Sequence, residues 1–159
     1  MSGDLGDLTH LDSSGAARMV NVAEKEPTRR EAKAEGFVRL TSTTIEKIRS
    51  KNVKKGDVLA VARLAGIQGA KRTSELVPLC HPIPIEGVTV EVEMEEAGVR
   101  VTAEVVTTSR TGVEMEALTA VMTACLALYD MIKGVERGAV IERIQLLSKK
   151  GGRSGTFER

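Results

Sequence analysis

Asp130 and Lys133 stand three residues apart in the segment Tyr129-Asp130-Met131-Ile132-Lys133. On a helix that spacing puts both side chains on one face. A carboxylate beside an amine can accept and donate protons at the mouth of a pocket, provided partial burial lowers the lysine pKa into a useful range. The same spacing also suits a surface ion pair, with Lys133 favoured by the dipole at a helix C-terminus. A second constellation is Leu79-Cys80-His81-Pro82, in a segment that Pro78, Pro82 and Pro84 keep out of any helix. A histidine there can hold a phosphate or move a proton near neutral pH. Glu114 and Glu116 form a third, at the start of a long apolar run. Acids in a first helical turn are favoured by the dipole, and at a pocket edge a carboxylate can also accept hydrogen bonds from the N–H groups of a guanine-like ring.

The remaining candidates are cations beside turns or small residues: Lys54-Lys55-Gly56, Lys71-Arg72, Thr28-Arg29-Arg30-Glu31 and Lys149-Lys150-Gly151-Gly152-Arg153-Ser154-Gly155. Glycines let backbone N–H groups approach an anion, so the last resembles a phosphate-cradling loop, although it lacks the Gly-Lys-Ser or Gly-Lys-Thr ending of a P-loop. A flexible basic tail is the competing reading. A metal centre is not expected, because Cys80, His81, Cys125 and His10 are all the soft ligands the chain offers.

Elements must position these groups. Gly36 to Leu40 reads as a strand, whereas the composition of Thr28 to Glu35 favours helix. Thr43 and Glu46 have capping-box spacing at the head of a short helix, and Asp57 can cap a longer one running from Val58 to about Glu75. In that second helix Ala60, Ala62, Ala65, Gly66, Gly69 and Ala70 leave room for another backbone. Val88 to Glu93 and Val99 to Val105 alternate with period two about Ala97-Gly98, as a β-hairpin does. Thr111 and Glu114 form a second capping-box pattern, opening a helix to Lys133 with Gly134 as its stop. Between Ala117 and Tyr129 only Thr119 and Thr123 are not hydrophobic, more than a small domain buries alone, so an oligomer is expected. Val140 to Leu147 supplies a last strand. The order predicts an α+β, ferredoxin-like domain: an antiparallel sheet with helices on one face, plus an extra helix.

Length and charge set the frame. The 159 residues suit one domain, 1–159, with a mobile N-terminal segment over about 1–18 and a basic, glycine-rich tail over about 148–159. Twenty-three Lys and Arg against 22 Asp and Glu give no field for general nucleic-acid binding, and three aromatic residues make no base-stacking platform. Met1 to Leu11 has no signal-peptide run, and Ala117 to Tyr129 is shorter than a membrane span. Two cysteines form no disulfide framework. No membrane role and a cytoplasmic location are expected.

At these residues the chain resembles the MoaC family. The resemblance rests on Leu8-Thr9-His10, Thr28-Arg29-Arg30-Glu31-Ala32, Lys55-Gly56-Asp57-Val58, Ala65-Gly66-Ile67-Gln68-Gly69-Ala70-Lys71-Arg72-Thr73 and Pro78-Leu79-Cys80-His81-Pro82. It continues through Thr111-Gly112-Val113-Glu114-Met115-Glu116-Ala117-Leu118, Tyr129-Asp130-Met131 with Lys133, and Gly151-Gly152-Arg153-Ser154-Gly155. It implies a ferredoxin-like subunit assembled as a hexamer from dimers, with the pocket at a subunit interface. It also implies the reaction, in molybdenum cofactor biosynthesis: a cyclised dihydro-GTP made by a partner radical enzyme is rearranged to cyclic pyranopterin monophosphate, and pyrophosphate is released. Asp130 and Lys133 then take the acid/base role, and Leu79, Cys80, His81, Met115 and Glu116, with Glu114 adjacent, take the substrate contacts. Lys55, Lys71, Arg72, His81, Lys149, Arg30 and Arg153 are the cations available to the phosphates. No metal or organic cofactor is implied, magnesium entering only as a counter-ion of the triphosphate. Two departures stand out: Asn21 replaces an aspartate usual in the family, and Arg153 stands where lysine is common. A noncatalytic nucleotide-binding module is the rival, but it would be expected to lose the acid/base pair while keeping the cations.

Overall fold

The computed structural model describes residues 12–159; His10 and the start of the N-terminal segment lie outside the described residues. Asp12-Ser13-Ser14-Gly15 makes the expected turn, with Asp12 Oδ1 accepting from the Ser14 and Ala16 N–H groups.

The first strand, β1, spans Thr28–Arg39 and so includes the stretch whose composition favours helix. Its Ala32, Ala34, Gly36 and Val38 point into the core while Glu31, Lys33 and Glu35 face the other way. Pairing on both sides, with β3 and β4, outweighs the helix propensity of its alanines, glutamates and lysine. Gly36 faces Val121 and Cys125, which leave no room for a Cβ.

Helix α1, Ser42–Arg49, and α2, Val58–Lys71, follow. The first begins two residues earlier than the capping-box pattern suggests, with Thr41 as its cap and no side-chain bond of its own. The Glu136 carboxylate, from the loop after the long helix, accepts from the Thr41 N–H and Oγ1 instead. Asp57 caps α2 as expected, its Oδ1 accepting from Ala60 N–H at 3.0 Å. That helix stops at Lys71, and Thr73–Leu76 forms a separate single turn, α3, rather than continuing it.

The hairpin is β2, Gly87–Glu95, and β3, Gly98–Ser109, joined at Glu96-Ala97. Helix α4 spans Glu114–Ile132. Its cap is Val113 without a side-chain bond, so the Thr111 capping box does not form either. Strand β4, Val140–Lys150, absorbs Ser148, Lys149 and Lys150, which the sequence assigns to the tail, and a short β5, Phe157–Glu158, pairs with it.

The sheet order β2-β3-β1-β4-β5 is antiparallel throughout; without β5 it is the ferredoxin-like arrangement, with α1 as the extra helix. Helices α2 and α4 cover one face. Gly66 and Gly69 of α2 lie against the Ala120 and Thr119 carbonyls of α4, the close approach its small residues predict. On the opposite face Phe37 is stacked between the Arg100 and Arg143 guanidinium groups. The core is Val, Ala, Leu and Ile, with Leu128 and Ile132 the largest side chains fully inside. Although α4 is long and apolar enough to pass for a membrane span, it is mostly buried against the sheet and α2.

Candidate active site

The candidate groups gather at the two ends of α4. At its N-terminus a cavity of about 360 Å³ opens between the start of the helix, the Leu79-Cys80-His81 segment and the irregular Val20–Lys25 stretch. Glu116 lies on its wall, only 4% exposed, and burial pushes its carboxyl up to about 7, with the nearby Glu114 charge adding to the effect. Glu114 and Met115 line the same cavity, as does Gly112, where a Cβ would collide with the Glu114 carboxylate. Cys80 is half-buried, and burial together with the Glu116 charge holds its thiol above the usual range. His81 Nε2 donates to the Val20 carbonyl at 2.7 Å, fixing the ring and its tautomer.

His81 and Glu116 also line a second cavity, of about 280 Å³, which Lys71 enters from the end of α2. A third, of about 390 Å³, holds Arg30, Arg153 and Gly152 together with Glu24 and Glu26. Gly152 is in the left-handed region at φ 80°, and a Cβ there would collide with the Arg30 guanidinium. Arg30 Nη2 donates to the Arg110 carbonyl at 3.4 Å, yet its Nε is buried without a hydrogen-bond partner. Arg30 as a whole is half-buried, and a guanidinium pairs readily with phosphate or carboxylate oxygens. Lys149 donates to Ser154 Oγ, which ties β4 to the glycine-rich loop.

At the far end of α4, Asp130 holds two ammonium groups. Lys133 Nζ lies 2.7 Å from its Oδ1, and Lys55 Nζ lies 2.8 Å from its Oδ2 and 2.7 Å from its backbone oxygen. The Lys133 and Lys55 hydrogen bonds drive the Asp130 carboxyl down to about 2, and Asp130 raises Lys133 in return. This corrects the expectation that burial lowers the lysine: Lys133 is exposed, charged, and paired.

The structure therefore brings Leu79, Cys80, His81, Glu114, Met115 and Glu116 together, sets Lys71, Arg30 and Arg153 in adjoining cavities, and groups Lys55 with Asp130 and Lys133. Arg72 caps α2 and lines none of the three cavities. Asp130, at the centre of the ion-pair cluster, is about 21 Å from Glu116 along the α4 axis, at 1.5 Å per residue. Sequence reasoning missed Val20, Val22 and Lys25 as walls of the first cavity. They lie in an irregular segment whose short apolar pair carries no periodicity, so only the family likeness of Met19 to Val22 marks it. Among the described residues no three His, Cys, Asp or Glu side chains come together as a metal site.

The profile of the MoaC family matches residues 19–152. Similar proteins include one named cyclic pyranopterin monophosphate synthase from Thermomicrobium roseum, 57% identical over 157 residues, covering 98% of this chain and 95% of the relative. Another of that name, from Methylobacterium nodulans, is 57% identical over 95% of this chain and 96% of its own length. A third, from Streptomyces griseus, is 53% identical over 96% of this chain and 86% of its own.

Proposed function

The chain belongs to the MoaC family, and from that premise we propose that it is a lyase of molybdenum cofactor biosynthesis, a cyclic pyranopterin monophosphate synthase. Its substrate is a cyclised dihydro-GTP, 3',8-cyclo-7,8-dihydro-GTP, which a radical enzyme supplies. The products are cyclic pyranopterin monophosphate and pyrophosphate. The reading is carried by the cavity at the head of α4, where a buried carboxyl, Glu116, stands at a ring-sized space beside His81, with cations in the adjoining cavities.

Glu116 and Glu114 accept hydrogen bonds from the ring N–H groups, and Leu79, Cys80 and Met115 line the ring's cavity. Ring opening and reclosure need a positioned acid and base, a role worth about 10²–10⁴ in rate. Asp130 and Lys133 take it, with Lys133 entering as the protonated partner and therefore as the acid. Closing the cyclic phosphate needs cations at the α-phosphorus and the departing pyrophosphate, from Arg30, Lys71, Lys149, Arg153, Lys55 and His81. The protein supplies no metal or organic cofactor, and magnesium accompanies only the triphosphate.

A single subunit cannot hold this reaction, because its acid/base cluster lies about 21 Å from the ring-binding carboxyl. A homo-oligomer, a hexamer built as a trimer of dimers, brings the Lys133 end of one copy to the Glu116 end of another. The exposed Val61 and Leu64 of α2, and Met122 and Leu126 of α4, supply apolar surface for such contacts. A reducing cytoplasm suits the free thiols of Cys80 and Cys125.

The test is pyrophosphate release from the cyclised dihydro-GTP under single-turnover conditions, beside Lys133→Ala. Release by the parent and a loss of several orders of magnitude in the variant are expected. A folded, oligomeric parent that binds the compound without releasing pyrophosphate would be a binding module instead. A Glu116→Gln variant with unchanged substrate affinity would remove the ring from Glu116.

A further inference from the structure

The segment before β1 does more than cover the cavity. It is held at one end by His81, which donates to the Val20 carbonyl, and at the other by Arg110, whose Nε donates to the Lys25 carbonyl at 2.9 Å. Between them the Lys25 N–H donates to the Val22 carbonyl at 3.1 Å, closing a turn. The Lys25 backbone is thus held by two hydrogen bonds, while its half-buried side chain enters no ion pair among the described residues.

Among the described residues, Lys25 is the one that lines both the cavity of Glu116 and the cavity of Arg30 and Arg153. These two spaces differ in charge chemistry. The first has two carboxyl groups and an apolar floor from Leu79 and Met115, which suits a ring rich in N–H donors. The second is lined by Arg30 and Arg153, whose guanidinium groups attract phosphate, with Glu24 and Glu26 beside them. A nucleotide-like molecule with its ring in the first and its terminal phosphates in the second must pass its middle, the sugar and α-phosphate, over Lys25.

We propose that Lys25 contacts the α-phosphate of the substrate and offsets the charge that develops there, an inference that rests on the function proposed above. In that step a sugar hydroxyl oxygen bonds to the α-phosphorus and its proton passes to a base. The bond from the α-phosphorus to the bridging oxygen breaks, and pyrophosphate departs with the electron pair towards Arg30 and Arg153. An ammonium fixed at the junction acts on the phosphorus where bonds form and break, and removing one such donor costs about 10²–10³ in kcat.

The experiment compares the parent with Lys25→Met, which keeps the length of the side chain without its charge, and Lys25→Arg, which keeps the charge. For pyrophosphate release, Lys25→Met is expected to lose about 10²–10³ in kcat and Lys25→Arg to recover part of it, with inhibition by inorganic pyrophosphate little changed in both. Unchanged kcat in Lys25→Met overturns the proposal. So does a loss of pyrophosphate inhibition in step with kcat, which would place Lys25 among the leaving-group contacts. Calorimetric binding of GTP and of guanosine gives an arm that does not need turnover: Lys25→Met weakens GTP about tenfold or more and leaves guanosine unchanged, and equal GTP affinity in parent and variant sinks the idea. A parent that binds GTP but does not turn over the cyclised compound would defeat the proposed function, and the GTP comparison would still decide Lys25.

Discussion

If the two ends of α4 act in different copies, two inactive variants with opposite defects will rescue each other. Lys133→Ala removes the acid/base end and keeps the ring cavity. A His81→Ala/Glu116→Gln double variant does the reverse, since both of its residues line the cavity at the helix start. Within one chain these ends are about 21 Å apart along the helix axis, too far for hydrogen-bond contact with one ring system. In an oligomer mixed from equal amounts, each site draws its Lys133 end and its Glu116 end from two different copies, so about a quarter of the sites receive both intact halves. Losing the acid/base partner in Lys133→Ala costs about 10²–10⁴, leaving that variant at or below about 1% of parental activity, and the mixture, with about a quarter of its sites whole, should stand roughly 25-fold above it. Co-expression with two affinity tags isolates mixed oligomers, and pyrophosphate release reads their activity. Mixed oligomers no more active than the separate variants would refute the shared site and return Asp130 and Lys133 to an ordinary surface pair.

Because the Glu116 carboxyl is raised to about 7 from 4.5, the folded state holds its proton where the unfolded state has lost it, so its stabilising effect is full below pH 4.5 and disappears as pH rises through 7. Glu116→Gln should flatten the pH dependence of stability over that window by on the order of 3 kcal/mol per chain, read by denaturant titration at pH 5 and pH 8; equal slopes in parent and variant would count against a buried acid. Asp130→Asn should lower the pKa of Lys133, visible by NMR of the dimethylated lysines, because the Asp130 bond is what raises it; an unmoved resonance would mean the pair is not formed in solution. Leu128→Ala opens a hole in the fully buried centre of α4 and should cost about 2–5 kcal/mol in thermal or denaturant unfolding. Gly66→Val should destabilise by a comparable path, since the Ala120 carbonyl and the Val90 and Ala124 side chains already crowd that position; a variant as stable as the parent would contradict the close helix approach.

Much of this arrangement is legible in the residues. The period-two alternation of Val99, Val101, Ala103 and Val105 marks β3 because one face is buried, and the small residues of α2 foretell its contact with α4. What escapes is decided by long-range partners. Thr28 to Glu35 is composed of helix formers, yet it becomes strand because β3 and β4 are available on either side. The two capping boxes fail for different reasons: Glu136, remote in sequence, takes over at Thr41, while the Glu114 carboxylate is packed against Gly112. The cavity wall from Val20 to Lys25 has no periodicity to announce it, and the hydrogen bonds that place it come from His81 and Arg110.

Burial explains why a helix this apolar carries charged side chains only near its ends. The middle of α4 is committed to β1, β3, β4 and α2, so ionisable side chains are excluded there by the cost of burying them unpaired. At its ends the dipole favours acids near the start and cations near the finish, which is where Glu114 and Glu116, and then Lys133, stand. Such a helix separates the Glu114 and Glu116 pair from the Asp130, Lys133 and Lys55 cluster by its own length and cannot fold back to join them. If both sets serve one substrate, as proposed above, a second copy must dock so that one helix's finish meets another's start, and the exposed Met122 and Leu126 lie between the two ends on the same helix.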